Sequence, residues 1–227
     1  MSEIRHRVTI VHRHELFASA LEQVLTIHGS RCRRVVTVGM TTQGVLRDVG
    51  LTRPDVVLVG MDLGSADGIC VATGLCRSGP RVIALIESDR PLNRGEAFAA
   101  GAQTVLAMTS PLSGLIAQVL RATEDPAATD PDARAVLIRE YRTSLGDNQA
   151  LVAMLSRQEK DLLAHLMAGR CVRDIASRRV VSEATVRTQS KSVLGKLGVG
   201  SQLAAVALAR RAGHSPSSLY AVRSVGR

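Results

Sequence analysis

The stretch PDVVLVGMDLGSADG (residues 54–68) decides the fold, because it runs from an apolar segment directly into a glycine-rich loop. DVVLVG (55–60) is short, apolar and rich in valine, which is typical of a strand buried on both faces of a sheet. Parallel sheets made of such strands gather functional groups at the carboxyl ends of the strands. At this strand end stands Gly60, with Asp62 and Asp67 farther into the loop.

Four further apolar runs alternate with helical patterns over the first 122 residues. The predicted strands are RVTIV (7–11), RRVVTVG (33–39), RVIALI (81–86) and TVLAM (104–108). The predicted helices occupy residues 14–29, 41–50, 66–77, 91–101 and 111–123. The apolar face predicted for the first helix comprises Leu16, Phe17, Ala20, Leu21, Val24 and Leu25. Five such strands alternating with five helices predict an α/β fold, with a parallel sheet covered by helices on both faces.

The composition limits the class of protein. The chain has 227 residues, enough for two domains with cores of their own, and 45% of its residues are apolar. We find no run of 18 apolar residues and no signal-peptide core, so we expect a cytoplasmic protein without a membrane partner. The four cysteines form no CxxC motif, and we therefore expect neither a zinc site nor a redox dithiol.

The chain divides at an acidic, Ala/Pro-rich segment, EDPAATDPDARA (124–135). We predict a first domain over 1–123, a partly helical linker over 124–152, a second domain over 153–213 and a flexible tail over 214–227. The net charge is +9, and residues 153–213 carry 11 basic and only 4 acidic side chains. Such a concentration of positive charge favours a polyanionic partner, with nucleic acid as the leading candidate.

The second domain reads as four helices. They are predicted over 155–169, 173–179, 182–198 and 201–213, with Ser156 and Glu159 at capping-box spacing and Ser182 as the N-cap of the third. A short second helix followed by a third that is polar and basic on its outer face predicts a helix-turn-helix. The third helix fits the major groove of DNA, where its donors can reach base edges.

The stretch LSRQEKDLLAHLMAGRCVRDIASRRVVSEATVRTQSKSVLGKLGV resembles the LuxR-type DNA-binding domain, and the likeness covers residues 153–213 without a gap. The resemblance implies that Arg187, Thr188 and Lys191 face the bases, and that Thr185, Gln189 and Lys196 lie nearer the DNA backbone. Ser182 and Arg173 complete the expected DNA-binding set. Two departures, Gly195 and Gly200, indicate weaker or differently distributed phosphate contacts.

The first domain resembles the flavodoxin-like receiver domain of bacterial response regulators, and the pairing of domains points to the NarL/FixJ subfamily. A working receiver needs an acidic pair after strand one, an Asp after strand three, a Ser/Thr after strand four and a Lys after strand five. In such a receiver the acidic pair holds Mg²⁺, and this metal ion and the Lys neutralise the charge of the phosphoryl oxygens. The corresponding positions here are His12 and Arg13, Gly60, Ile86 and Met108. We therefore expect a receiver-like domain that is not phosphorylated, with no catalytic residues and no cofactor.

Several alternatives remain open at this point. Asp62 could act as a substitute phosphoacceptor, although it lacks acidic partners for Mg²⁺. His6, His12 and His14 raise the possibility of a metal site, for which no further ligand is placed. The pocket formed by His12, Arg13, Ile86 and Met108 could bind an anionic small molecule, or its own side chains could fill it.

Three functions follow from these readings. The first is a homodimeric, sequence-specific transcription regulator that binds an inverted-repeat operator on double-stranded DNA, with RNA polymerase or a small-molecule ligand as a further partner. The second is a regulator still controlled by phosphorylation at Asp62. The third is a protein-interaction adaptor that no longer binds DNA.

Overall fold

The computed structural model describes residues 6–124 and 130–220. The chain splits into two compact units, Met1–Tyr141 and Arg142–Arg227. Each unit has its own hydrophobic core, and each is described separately below.

The first unit is built around a five-stranded parallel sheet. Its strands are β1 (Arg7–His12), β2 (Arg31–Val36), β3 (Val56–Gly60), β6 (Arg81–Ile86) and β7 (Thr104–Ala107), and a short antiparallel pair, β4 (Asp62–Leu63) and β5 (Ala66–Asp67), follows β3. The sheet order is β2-β1-β3-β6-β7, with every neighbour parallel. The helices between them are α1 (Glu15–Ile27), α2 (Thr42–Thr52), α3 (Gly68–Ser78), α4 (Pro91–Ala99) and α5 (Leu112–Glu124). The predicted (βα)5 fold is confirmed.

The core lies on both faces of the sheet, because each central strand is apolar along its whole length. Strand β3 is buried at all five positions, and its side chains alternate between two clusters. Val57 and Val59 pack into the cluster beneath α2, α3 and α4, whereas Val56 and Leu58 pack into the cluster beneath α1 and α5. This double burial explains why 55–60 shows no alternation of polar and apolar residues.

Two details of the predicted first unit were wrong. The second strand covers Arg31–Val36 rather than 33–39, because its arginines belong to an edge strand with open surface. On α1 the buried residues are Ala18, Leu21 and Leu25. Leu16 is 87% exposed, since it lies in the first turn and off the face that these three residues present to the sheet.

The loop after β3 depends on one glycine. A Cβ on Gly68 would lie 2.2 Å from the carbonyl oxygen of Met61, so no larger residue fits where α3 begins. Asp67 caps that helix, since its Oδ1 accepts a hydrogen bond from the Cys70 amide at 3.0 Å. Asp67 and Gly68 therefore both have structural roles at the start of α3.

The segment predicted as a partly helical linker forms a long helix, α6 (Pro131–Ala153). Within the first unit, Leu137 and Ile138 of α6 pack against the core, and the Arg134 guanidinium lies over the Phe98 ring at 5.4 Å. A Cβ on Gly95 of α4 would lie 2.3 Å from the Leu137 carbonyl oxygen, so this glycine permits the close approach. The first unit thus extends to residue 141 instead of ending at 123.

The second unit is helical. Its helices after α6 are α7 (Arg157–Met167), α8 (Val172–Arg179), α9 (Glu183–Leu197), α10 (Gln202–Arg211) and α11 (Pro216–Tyr220). The core contains Leu162 and Leu163 of α7, Ile175 of α8, and Val186 and Val193 of α9, among others. The four predicted helices are present, and their ends differ from the predicted ones by at most two residues.

The predicted flexible tail, 214–227, was wrong for its first part. Helix α11 is formed there, and Leu219 is 5% exposed within the core of the unit. An apolar residue three positions into a helix that starts at a proline gives this turn a buried face. Residues 221–227 of the predicted tail, and 125–129 of the predicted linker, lie outside the described residues.

Candidate nucleic-acid interface

Helix α9 follows α8 through a tight turn. Ser182 caps α9, as predicted, because its Oγ accepts a hydrogen bond from the Thr185 amide at 3.1 Å. Val180 takes the left-handed conformation, with φ of 55°, and its side chain is 90% exposed. A β-branched residue is strained in that conformation, and the strain is concentrated in the turn that orients α9.

The outer face of α9 carries the predicted base-reading residues. Arg187 is exposed and forms an ion pair with Glu183 one turn earlier, at 3.2 Å. Lys191 is exposed one turn later on the same face, and Thr188 between them bonds its hydroxyl to the Ala184 carbonyl at 3.1 Å. The two cations are thus four residues apart along the helix and open to a polyanion.

Two of the residues predicted to lie near the DNA backbone form hydrogen bonds within the protein. Gln189 accepts a hydrogen bond from the Arg179 guanidinium at 2.6 Å, and Lys196 donates to Glu159 at 2.8 Å. Thr185 shares a hydrogen bond with Ser182 at 2.8 Å and remains exposed. Arg173 lies on α8, where its side chain is exposed. Gln189 and Lys196 are therefore fixed in place, whereas Arg173 and Thr185 lie on open surface.

Glu159 fixes α9 against α7. This carboxylate forms a capping box with Ser156, and it also accepts hydrogen bonds from Ser192 at 3.1 Å and from Lys196. The bond from Lys196, together with the Ser156 and Ser192 bonds, lowers the pKa of Glu159 to about 2, so it is ionised at neutral pH. The sequence indicated the capping box through its spacing, but the pairing across 37 residues left no local signal.

Gly195 and Gly200, the two departures from the LuxR-type pattern, both lie on open surface. A Cβ at either position would meet no atom within 4 Å, so no packing requirement within the unit explains the glycines. Because both residues are glycines, the surface of α9 and of the turn that follows it has no side chain at these two positions.

In the first unit, His12 replaces the expected acidic site at the end of β1. Its imidazole is 2% exposed and stacks near the Phe17 ring, with ring centroids 4.7 Å apart. A Cβ on Gly60 would lie 2.7 Å from His12 Cδ2, so the imidazole occupies the space that a side chain at position 60 would need. Burial, and next the neighbouring His14, lower the pKa of His12 to about 4, and the ring is neutral at pH 7.

Arg13, which follows β1, is likewise engaged by contacts within the protein. The Arg13 guanidinium bridges Asp62, at 2.9 Å, and Glu87, at 3.0 Å. The second oxygen of Asp62 accepts a hydrogen bond from the Gly64 amide at 3.0 Å. Asp62 therefore has a cation where a phosphoacceptor would need acidic neighbours for Mg²⁺.

Two of the four side chains in the predicted pocket of His12, Arg13, Ile86 and Met108 have almost no exposed surface. His12 and Ile86 are buried, at 2% and 3% exposure, and Met108 packs against the apolar cluster beneath α1 and α5. Arg13 instead borders an open groove of about 370 Å³ together with His14, Val38 and Leu63, among others. His12 and Ile86 therefore leave little surface for a ligand to contact.

The described residues also bear on metal binding and on membrane insertion. Among residues 6–124 and 130–220, no three His, Cys, Asp or Glu side chains are grouped so that they could hold a metal ion. No single helix in these ranges is long and apolar enough to cross a membrane; α9 and α10 meet the length and composition only as a pair, bent by 50°.

The comparisons with known proteins agree with this architecture. Residues 153–209 match the family model described as bacterial regulatory proteins, luxR family. The whole chain is 28% identical over 210 residues to the "Probable transcriptional regulatory protein NarL" of Mycobacterium tuberculosis, covering 90% of this chain and 94% of that protein. It is 24% identical to the "Transcriptional regulatory protein LiaR" of Bacillus subtilis, covering 90% and 97%.

These relatives are named as regulators of transcription, and together with the luxR-family match over residues 153–209 they support a response regulator of the NarL/FixJ type. Among solved structures, a complex of the two-component response regulator RcsB with DNA aligns with a TM-score of 0.50 at 17% identity, covering 91% of this chain and 98% of that one. This last likeness shows the shared fold.

Proposed function

We propose that this response-regulator-type protein binds specific double-stranded DNA through α9 and does so without control by aspartyl phosphate. The observation that carries the first part is the outer face of α9, where Arg187 and Lys191 point away from the core on a helix locked in place by Glu159. A rigid helix with exposed cations at one-turn spacing suits insertion into the major groove.

Charge supports the same reading. Residues 153–213 carry 11 basic and 4 acidic side chains, and two of the acids, Glu159 and Glu183, are paired with cations of α9. Arg173 and Thr185 add exposed donors beside α9. Phosphates would be contacted by these groups, and the bases by Arg187, Thr188 and Lys191.

The proposal predicts how variants behave. Arg187→Ala and Lys191→Ala should each weaken binding to the operator by about 1–3 kcal/mol, as expected for loss of a good base contact. The operator itself is obtained by selecting bound duplexes from a random pool; a homodimer would return an inverted repeat whose half-sites are about one turn apart. Arg77→Ala, an exposed arginine on α3, is the control and should leave the affinity unchanged.

Two results together would overturn the proposal that the protein binds DNA. If the random pool returns no enriched sequence, and Arg187→Ala and Lys191→Ala leave gene regulation in the cell intact, the protein is an interaction adaptor. RNA polymerase would then be the first partner to test. Affinity for the selected duplex should otherwise fall steeply with salt, because bound Lys and Arg release counterions from DNA.

The second part of the proposal rests on the pair Gly60 and His12. The imidazole fills the position of the missing carboxylate, and Arg13 holds Asp62 in an ion pair. Incubation with acetyl phosphate and Mg²⁺ should therefore leave the mass of the protein unchanged. A stable gain of one phosphoryl group on Asp62 would support the alternative, control by phosphorylation at a displaced site.

A further inference from the structure

The edge of the sheet carries a basic groove that the proposed function does not use. Strand β2 pairs only with β1, and α2 leaves part of the surface above these two strands open. The opening has a volume of about 600 Å³, which lies within the range of small-molecule sites. We call it the edge groove and define it by its rim, Arg31, Arg33 and Arg53, and its floor, Val35, Met40 and Leu51.

The lining of the groove carries an excess of positive charge, since it contains five arginines and one carboxylate, that of Asp48. Within the described residues, none of the guanidinium groups of Arg31, Arg33 and Arg53 lies within 4 Å of a carboxylate, and all three side chains are exposed. The neighbouring arginines are neutralised, since Arg7 pairs with Asp55 and Arg34 with Glu22 on α1. Three free guanidinium groups around one concave surface would repel each other less with an anion between them.

The floor has three apolar side chains, next to the hydroxyl groups of Thr9 and Thr52, which also line the groove. Val35 is buried, Met40 packs partly against the core, and Leu51 is 79% exposed at the side of the groove. A purely ionic ligand such as chloride would leave this surface unused. A ligand that has an anionic group and an apolar or aromatic part would contact both the rim and the floor.

The backbone at Arg53 supports a role for this residue in binding. Arg53 ends α2 in the left-handed conformation, with φ of 45°, where helices favour glycine. A side chain in this strained conformation adds nothing to the core, because Arg53 is exposed. Its guanidinium contributes instead to the rim of the groove.

We propose that the edge groove binds a phosphorylated small molecule of nucleotide size, with its phosphates on Arg31, Arg33 and Arg53 and its apolar part over Leu51. Guanidinium forks match phosphate oxygens in a bidentate geometry, which favours phosphate over a single carboxylate. Binding in this groove thereby gives the receiver-like unit an input that requires none of the residues at the carboxyl ends of its strands.

The test uses the full chain and isothermal titration with three probes, ADP, pyrophosphate and adenosine. ADP should bind, pyrophosphate should bind more weakly because it lacks the apolar part, and adenosine should show no binding at the same concentrations. The double variant Arg31→Gln/Arg33→Gln should weaken ADP binding at least tenfold. Arg31→Lys/Arg33→Lys keeps the charge but loses the fork, and should lie between this double variant and the unaltered chain.

The matched control is Arg77→Gln/Arg90→Gln, which removes the same charge from exposed positions of the same unit outside the groove. It should bind ADP as the unaltered chain does. An equal loss in both Gln double variants would show nonspecific attraction and overturn the proposal. Failure of both ADP and pyrophosphate to bind at millimolar concentration would overturn it as well, and neither result would bear on DNA binding by α9.

Discussion

At the scale of single residues, the substitutions at the strand ends depend on one another. Gly60 and His12 form a complementary pair, because the space next to the glycine is filled by the imidazole. Arg13 completes the change by holding Asp62 and Glu87, where an acidic pair would have repelled them. A glycine at position 60 therefore fits this strand end without a void beside it, and Asp62 and Glu87 are both paired with Arg13.

We predict that Gly60→Ala destabilises the first unit by about 1–3 kcal/mol, because its Cβ would lie 2.7 Å from His12 Cδ2 in a packed core. The same substitution in a His12→Ala background should cost much less, since the clashing ring is absent. Urea unfolding of the four proteins in this cycle measures the coupling between the two positions.

Gly50→Ala serves as the control, because a Cβ on this α2 glycine would meet no atom within 4 Å. It should stabilise the unit by up to about 1 kcal/mol through the helix propensity of alanine. Equal effects of Gly60→Ala in both backgrounds would contradict the packing argument.

His12 also predicts a pH dependence. Its pKa is about 4 in the folded chain and near 6.5 in the unfolded chain, so the unfolded chain binds the proton more readily between these values. Stability is therefore fully present above pH 6.5 and is lost as the pH falls toward 4, by on the order of 3 kcal/mol. In His12→Asn the decrease should be smaller by this amount. An NMR titration that places the His12 pKa near 6.5 would rule the explanation out.

At the scale of elements, the strands that the sequence locates correctly are those that are buried on both faces. The central strands β3 and β6 were located to within a residue, because both faces are buried and the apolar run is continuous. The edge strand β2 was misplaced, since three arginines in RCRRVV give no apolar run. The same three-arginine sequence is the local signal that could have pointed to the edge groove.

The site was predictable in part for the same reason. The position of Arg187 and Lys191 on α9 follows from helical periodicity alone. That Gln189 and Lys196 are held by Arg179 and Glu159 does not, because the partners are 10 and 37 residues away in the chain. Periodicity reports which face is exposed, whereas such pairings are a property of the packed unit.

We predict that Glu159→Gln destabilises the second unit by about 1–3 kcal/mol, because the buried ionised carboxylate that accepts from Lys196 and Ser192 is lost. Glu183→Gln is the matched control, since Glu183 also lies in the first turn of a helix and pairs with a cation, but on the surface. It should change stability by no more than about 0.5 kcal/mol. Denaturant titration followed by the amide signals of α7 and α9 measures both; equal losses would contradict the role assigned to burial.

At the scale of the whole molecule, the domain boundary follows from packing and not from composition. The acidic segment 124–135 suggested that the first domain ends at 123, yet α6 continues the fold of that unit as far as Tyr141. Composition does not reveal this boundary, because α6 is polar along much of its length and Val152 is its one buried residue. Gly95 on α4 is the feature that admits it.

This packing predicts that a fragment of residues 1–141 is more stable than one of residues 1–123. The longer fragment keeps Leu137 and Ile138 on the core and the Arg134–Phe98 contact, and burial of two such side chains is worth about 1.5–3 kcal/mol each at most. Its melting temperature should be higher by several degrees. Gly95→Val in the longer fragment should remove most of the difference, because the new side chain would collide with the Leu137 carbonyl. Equal melting temperatures for the two unaltered fragments would mean that α6 does not belong to the fold of the first unit.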